Sequence, residues 1–249
     1  MRIHWWHVGC ALAVLTGVAN ASTLDDLLAK NLAARGGLDT IHAIKTLKTS
    51  GTLRFGEQFE LAFEQYQKAP DSVRSEASLQ GLTAVQAWNG SQAWQISPFQ
   101  GRKDPELMTP EDARGLADDA PIAGALVDWQ TRGSRLEYLG TEDVDGTQAH
   151  KIKVTLKNGD VQIVYLDPDH FLEIRTRSQR TVRGTLVESV TDYGDYENVA
   201  GVFFPFSIST VNKADGSEQK TSVVHAQANV AMEDALFAFP GAAIKGAAK

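Results

Sequence analysis

Cysteine is almost absent from this sequence of 249 residues. The one cysteine, Cys10, lies in the first apolar stretch of the chain. If that stretch is removed as an export signal, the mature protein has no disulfide, no thiol nucleophile and no cysteine metal site. Export without disulfides fits a bacterial periplasm, provided that the core is large enough to be stable without cross-links.

Positive charge is also scarce. The chain has 24 Lys and Arg residues against 31 Asp and Glu residues, a formal net charge of -7. Loss of Arg2 with the first segment would leave 23 basic residues and a net charge of -8. Nucleic acids and anionic membrane surfaces are bound by basic surfaces, so we expect neither as a partner.

The first apolar run, from about Val8 to Val18, is too short to span a bilayer, and no second such run follows. It ends in small residues, Ala19 to Ala21, as signal peptides do. We therefore expect residues 1–21 to be a signal peptide cleaved after Ala21, which leaves a periplasmic protein without a transmembrane anchor. Acylation of Cys10 in a lipoprotein signal is the alternative; His7 stands where such signals usually carry leucine.

Residues 22–240 are expected to form a single domain, and residues 241–249 a disordered tail. A helix is predicted after a cap at Ser22 or Thr23, ending at Gly36 and Gly37, with a shorter helical turn after it. Thr109 and Pro110 predict another helix, which Pro121 divides into two short ones.

Most of the remaining sequence alternates between apolar and polar residues, which predicts strands. Asn89-Gly90 and Asn158-Gly159 are strong hairpin signals. The expected fold is therefore α+β, with about ten or eleven strands in meander order. They would form a large curled antiparallel sheet, an incomplete β-barrel, with helices covering its concave apolar face.

Few helices are available to cover so large an apolar face. A cavity for an apolar ligand is one expectation, and a fully packed core without a pocket is the alternative. If the alternation is read correctly, the residues that line such a cavity and bind lipid are Phe59, Leu61, Phe63, Trp88, Trp94, Ile152, Val154, Leu156, Ile163, Leu172, Ile174, Phe204, Phe206 and Ile208. Trp88 and Trp94, which flank one hairpin, are expected to pack as a cross-strand pair rather than to contact ligand directly.

The sequence contains no strong catalytic or metal-binding motif. The histidines beyond the first segment form no pair at the spacing of two metal ligands on one helix. Asp167, Asp169 and His170 could hold a metal, although aspartates in such a sequence are typical of a turn. No G-x-S-x-G motif is present. We expect no catalytic residue, no metal, no cofactor and no enzymatic activity.

Five stretches together resemble one family. They are LAARGGLDTIHAIKTLKTSGTL, WNGSQAWQI, YLDPDHFLEIR, DYGDYENVAGVFFPFSI and ALFAFP, spread from Leu32 to Pro240. Their order is similar to that in bacterial outer-membrane lipoprotein-sorting proteins of the Lol-carrier type. The resemblance implies an incomplete barrel closed by helices around an apolar cavity. It also implies one important arginine near a barrel strand, for which Arg54 and Arg74 are both candidates.

The resemblance implies a periplasmic carrier that shields the acyl chains of a lipid or lipoprotein during transport towards the outer membrane. Donor and acceptor proteins in the two membranes would then be its partners. An envelope assembly or interaction module, in which the apolar face docks a protein, is the alternative. An enzyme built on a lipid-binding scaffold is a third hypothesis, for which the sequence offers no catalytic constellation.

Overall fold

The structure, a computed structural model, describes residues 16–56 and 59–240, with side chains from Thr23 onward. The tail at 241–249 and most of the predicted signal peptide lie outside the described residues. The helices are α1 (Thr16–Ala34), α2 (Leu38–Ala43) and α3 (Pro110–Asp119), and Pro98–Gln100 and Asp234–Leu236 form 3₁₀ turns.

One antiparallel sheet of thirteen strands contains most of the described chain. Its strands are β1 (Thr46–Phe55), β2 (Phe59–Lys68), β3 (Ser72–Leu79), β4 (Leu82–Asn89), β5 (Ala93–Ser97), β6 (Arg102–Leu107), β7 (Arg135–Val144), β8 (Thr147–Thr155), β9 (Val161–Leu166), β10 (Glu173–Val182), β11 (Thr185–Val199), β12 (Val202–Asn212) and β13 (Glu218–Ala228). The expected α+β class and curled antiparallel sheet are confirmed, with two or three more strands than the ten or eleven predicted.

The sheet consists of two meanders joined at its centre. Strands β1 to β6 run outward to one edge, and β7 to β13 run back from the other edge until β13 pairs with β1. The two edge strands, β6 and β7, are consecutive in the chain but do not pair, so the barrel is open. The segment that joins them, 108–134, contains α3 and must cross from one edge to the other.

Helix α1 begins earlier than predicted. It starts at Thr16, so the predicted cap at Ser22 or Thr23 is wrong for the full chain. Its end is as expected, because Gly36 and Gly37 both have positive φ angles, 115° and 89°. A side chain at Gly36 would overlap the carbonyl oxygen of Gly201, so the helix end lies directly on the turn between β11 and β12.

The crossing segment contains one helix instead of two. Helix α3 is capped as predicted: the Thr109 hydroxyl accepts a hydrogen bond from the Asp112 amide at 3.1 Å. The second helix, predicted after Pro121, is wrong, because residues 121–134 form turns. Gly124 and Asp128 have φ angles of 79° and 54°, which no right-handed helix can contain.

These turns pack into the sheet as part of the core. Val127 joins Ile41, Phe204 and Phe206 in one buried cluster with the ends of β1 and β12. Leu126 joins a second cluster, which contains Leu28 of α1 and residues of β8 and β9. Helices α1 and α2 and the 121–129 turns therefore cover part of the concave face, which confirms the predicted layering.

Candidate ligand cavity

A cavity of about 850 Å³ remains between the sheet and its cover. Strands from both meanders line it, and on the side of the cover it is bordered by the end of α3 and the following turn, among them Leu116, Pro121 and Ile122. Its volume lies within the range of sites that hold one small organic ligand. Of the two expectations left open by the sequence, the structure has the cavity and not the fully packed core.

Four of the fourteen predicted lining residues border this cavity. They are Leu61 and Phe63 on β2 and Phe204 and Ile208 on β12. Four others are used to pack the cover onto the sheet: Ile152, Val154, Leu156 and Phe206 belong to the two hydrophobic clusters beside the cavity. Phe59 is 57% exposed at the start of β2, and Leu172, half-buried, precedes β10. Lipid contact by any of the fourteen stays a prediction.

Ile163 and Ile174 lie on the opposite face of the sheet from the cavity. Ile152 is directly opposite Val164 in the β8–β9 ladder, so Val164 shares the concave face and Ile163 does not. Ile174 lies at a register irregularity between β9 and β10, and it packs with Ile163 and Tyr165. The irregularity moves Ile174 outward and leaves Glu173 on the cavity side.

Trp88 and Trp94 do not form the expected cross-strand pair. Trp88 is opposite Ala93, and Trp94 is opposite Ala87, so the two indoles lie on different faces of the hairpin. Trp94 is 1% exposed, and its indole N–H donates to the carbonyl of Phe237 at 3.0 Å. The carboxyl-terminal segment, and not a ligand, therefore covers Trp94.

Polar residues form a large part of the cavity lining, although the concave face was predicted to be apolar. They come from the same strands and the same face as the apolar lining: Thr49, Gln65, Gln67, Ser75, Gln86, Gln162, Thr176, Ser178, Ser189, Thr191, Thr210, Gln219 and Thr221. The signal was present in the sequence, since TRSQR in β10 and TSGT in β1 place hydroxyls at cavity-facing positions. These polar positions were missed because every alternating strand was expected to have an apolar inner face.

Two groups of opposite charges also line the cavity. Arg35, 7% exposed, donates to the Ala123 carbonyl at 2.6 Å and lies near Glu173. Burial raises the pKa of Glu173, and Arg35 partly opposes that rise. Burial likewise raises the pKa values of Tyr193 and Tyr196. The Tyr196 hydroxyl donates to the Glu173 carbonyl at 2.7 Å, which fixes this part of the lining.

The second charged group lies at the end of α3. Burial, reinforced by Asp119 and Asp160, raises the pKa of Asp118 to about 6, although Arg180 and Asn158 act in the opposite direction. Burial also raises the pKa of Asp119. Asp119 is nevertheless exposed, and it borders the cavity.

Polar contacts hold α3 over the opening of the sheet. Arg114 forms an ion pair with Asp160 at 3.5 Å and donates to the Thr181 carbonyl. Arg183 pairs with Asp112 at 2.7 Å. On the other meander, Gln67 donates to the carbonyls at the end of α3, at 3.3 Å. Helix α3 therefore bridges both meanders, mostly through hydrogen bonds and ion pairs near solvent.

Neither arginine suggested by the family resemblance lines the cavity. Arg54 forms an exposed pair with Glu60 at 2.6 Å. Arg74 pairs with Glu76 at 2.6 Å, and its guanidinium lies over the ring of Trp94. The cations that do line the cavity are Arg35 and Arg180.

The aspartate turn after β9 is a structural feature, as its composition indicated. Asp167 accepts hydrogen bonds from the amides of Asp169 and His170, at 2.9 and 2.7 Å. No group of three metal-ligating side chains occurs among residues 16–56 and 59–240. Within these same ranges, no helix is long and apolar enough to cross a bilayer.

Comparison with solved structures identifies the fold. A LolA superfamily protein from Nitrosomonas europaea is similar with a TM-score of 0.57 and 13% identity, over 86% of this chain and 96% of that one. A putative outer membrane lipoprotein-sorting protein domain from Vibrio parahaemolyticus has a TM-score of 0.57 and 10% identity, over 85% and 94%. The resemblance seen in the sequence is thus confirmed at the level of the fold.

A third structure, a DUF1329 family protein from Desulfovibrio piger, matches with a TM-score of 0.51 and 14% identity, over 86% of this chain and 96% of that one. No protein-family model matches the sequence, and no curated protein is similar to it in sequence.

Proposed function

We propose that this protein is a periplasmic carrier, without catalytic activity, that holds the acyl chain of a lipid or lipoprotein in its cavity for transport towards the outer membrane. The observation that carries the proposal is the 850 Å³ cavity between the sheet and α3. The similarity to a LolA superfamily protein and to a putative outer membrane lipoprotein-sorting protein domain supports it.

The free-energy cost of exposing an acyl chain to water explains why a carrier needs a cavity of this kind. Each methylene exposed to water costs about 0.8 kcal/mol, so a sixteen-carbon chain left in water costs on the order of a dozen kcal/mol. The apolar part of the lining, which includes Leu53, Leu61 and Phe63, offers a comparable environment. Because α3 is held mainly by polar contacts, it could open to release the chain without exposing a large hydrophobic core.

The alternative, an interaction module that docks a protein on the apolar sheet face, has less support. A docking face would be exposed, whereas Phe204 and Phe206 are 9% and 8% exposed beneath Ile41 and Val127. This part of the apolar face is already covered by the chain's own helix and turns.

The direct test is to purify the protein from an envelope extract and measure its mass under native conditions. We expect bound lipid, which organic extraction would release, and we expect the emptied protein to bind a fluorescent fatty acid. Protein that is repeatedly free of lipid and does not bind the fatty acid would refute the proposal.

A variant of the cavity wall makes the test specific. Phe63 is half-buried and borders the cavity, so Phe63→Asp should weaken fatty-acid binding at least roughly tenfold by placing a charge beside the acyl chain. Leu186→Asp is the control, because Leu186 is 59% exposed and lies away from the cavity. Phe204 is less suitable, since it also belongs to the core cluster. Equal losses in the two variants would count against the cavity as the site.

A further inference from the structure

Three threonines form a row across the cavity side of the second meander. In the ladders, Thr176 of β10 is directly opposite Thr191 of β11, which is directly opposite Thr210 of β12. Residues directly opposite on neighbouring strands share a face, and all three line the cavity. Ser178 and Ser189 form the next opposed pair, on the same face. We name these five side chains the hydroxyl row.

The first meander carries a similar row. Thr49 of β1 is opposite Gln65 of β2, which is opposite Ser75 of β3, and Ser75 is opposite Gln86 of β4. All four line the cavity. Polar side chains therefore border the cavity on both halves of the sheet, among apolar neighbours.

Much of this polar lining has no partner within the protein. Thr191 and Thr210 satisfy one another, with their hydroxyl oxygens 3.0 Å apart, and Gln65 donates to Ser75 at 3.3 Å. Throughout the described part of the chain, the hydroxyls of Ser178 and Ser189 and the amide of Gln86 make no hydrogen bond to protein. A hydrocarbon chain laid against these groups would leave them without hydrogen-bond partners, which opposes its binding there.

The charges on the lining limit the kind of head group that could satisfy these groups. Arg35 lies near Glu173, and Arg180 lies near Asp118 and Asp119. An anionic head group would approach carboxylates, and a cationic one would approach guanidinium groups. An uncharged hydroxyl group both donates and accepts, so it can bond to either kind of charge and to the hydroxyl row.

We propose that the cargo is an amphiphile with an uncharged, hydroxyl-rich head group, such as a sugar or polyol, and that this head group is bound inside the cavity with its tail. The inference rests on the proposed carrier function and narrows it. The hydroxyl row and Arg180 bind the head group, while Leu53, Leu61 and Phe63 contact the tail.

The test compares four competitors that share a dodecyl chain and differ in head group: dodecyl maltoside, dodecanoate, dodecyl phosphate and dodecyltrimethylammonium. Each displaces a fluorescent fatty acid from the full-length protein, below its critical micelle concentration. We expect the maltoside to bind at least about tenfold more tightly than the other three, the effect of one or two well-formed hydrogen bonds.

Two variants test whether the hydroxyl row causes the preference for the maltoside. Thr191→Val keeps the shape of the side chain and removes its hydroxyl, and Ser178→Ala removes a hydroxyl that has no partner in the protein. Each should reduce the preference for the maltoside by roughly threefold to tenfold and leave dodecanoate affinity unchanged. Phe63→Ala should weaken all four competitors alike. If Thr191→Val fails to fold, Ser178→Ala alone decides the matter.

The outcomes separate the two proposals. Equal affinity for all four head groups, or tightest binding of a charged one, overturns the inference and leaves the carrier function standing. A maltoside preference that neither hydroxyl variant alters also overturns it. Failure of the fluorescent fatty acid and of every competitor to bind would overturn the carrier function itself.

Discussion

Asp118 provides a measurable link between pH and the closure of the cavity. It lies in the last turn of α3, half-buried, where it accepts a hydrogen bond from the Asn158 amide at 3.1 Å. Asp119 and Asp160 are the nearby anions, and Arg180 is the nearby cation. Ionisation of Asp118 therefore opposes the docking of α3, and Asp118→Asn removes this opposition while an amide oxygen remains to accept from Asn158.

The size of the effect on the free energy of unfolding follows from the pKa of Asp118. A rise from 3.8 to about 6 corresponds to about 3 kcal/mol, which partial exposure to solvent reduces to about 1–2 kcal/mol. Well below pH 4, Asp118 is protonated in both the folded and the unfolded protein and has no effect. As the pH rises from 4 to 6, the folded protein binds more protons than the unfolded one, so stability decreases. The loss is complete above about pH 7.

The assay is urea unfolding of the wild type and Asp118→Asn at intervals from pH 4 to pH 8. Other groups titrate in this range, so the informative quantity is the difference between the two proteins. We expect the variant to be more stable by about 1–2 kcal/mol at pH 7.5 and within about 0.5 kcal/mol of wild type at pH 4. Hydrogen exchange at pH 7.5 should show slower opening of α3 in the variant.

A difference in stability that is the same at pH 4 and pH 7.5 would refute this reasoning, because it would mean that ionisation of Asp118 is not involved. A variant that is less stable at pH 7.5 would show that the charge of Asp118 stabilises the fold, through Arg180, more than burial and the neighbouring carboxylates destabilise it.

Three further changes test the fold around the cavity. Gly51→Ala should destabilise the protein by at least about 2 kcal/mol in urea unfolding, because a methyl group there would overlap the Ser222 carbonyl oxygen where β1 pairs with β13. Gly194→Ala is the control, since its methyl group would meet only Ser207, at 3.9 Å. Equal stabilities of the two variants would contradict this explanation. Thr109→Ala should cost about 1 kcal/mol and speed hydrogen exchange in α3, whereas unchanged exchange would mean that the cap does not hold the helix. Trp94→Phe should destabilise the protein and increase proteolysis near Phe237 by removing the indole hydrogen bond, and a normal digestion pattern would show that this bond does not anchor the segment.

The local features of the fold were predictable because short-range chemistry determines them. The cap of α3 depends on Thr109 and Asp112, three residues apart, and the end of α1 depends on two adjacent glycines. The alternation of Val202, Phe204 and Phe206 predicted one buried side, and all three are buried in one cluster. Hairpins at Asn89-Gly90 and Asn158-Gly159 followed from turn chemistry and gave antiparallel neighbours.

Features that depend on distant contacts were not predictable. The alternation in β9 shows that Ile163 and Val164 face opposite ways, but only pairing of Val164 with Ile152 decides which one faces the cavity. The irregular register between β9 and β10 turns Ile174 outward and leaves Glu173 on the cavity side, the reverse of the expected faces, because one extra residue interrupts the alternation at that point. The turns after Pro121 replaced a predicted helix, and their apolar residues complete the core.

By itself, the sequence determined an α+β protein with a large antiparallel sheet, since periodicity, caps and turns act over a few residues. Only the tertiary structure decided that β13 pairs with β1, about 170 residues away in the chain, and that α3 bridges the two meanders. That arrangement brings the polar rows of both meanders into one cavity with Arg35 and Arg180. No local pattern encodes it, because the residues of each row are brought together by strand register and not by their spacing in the sequence.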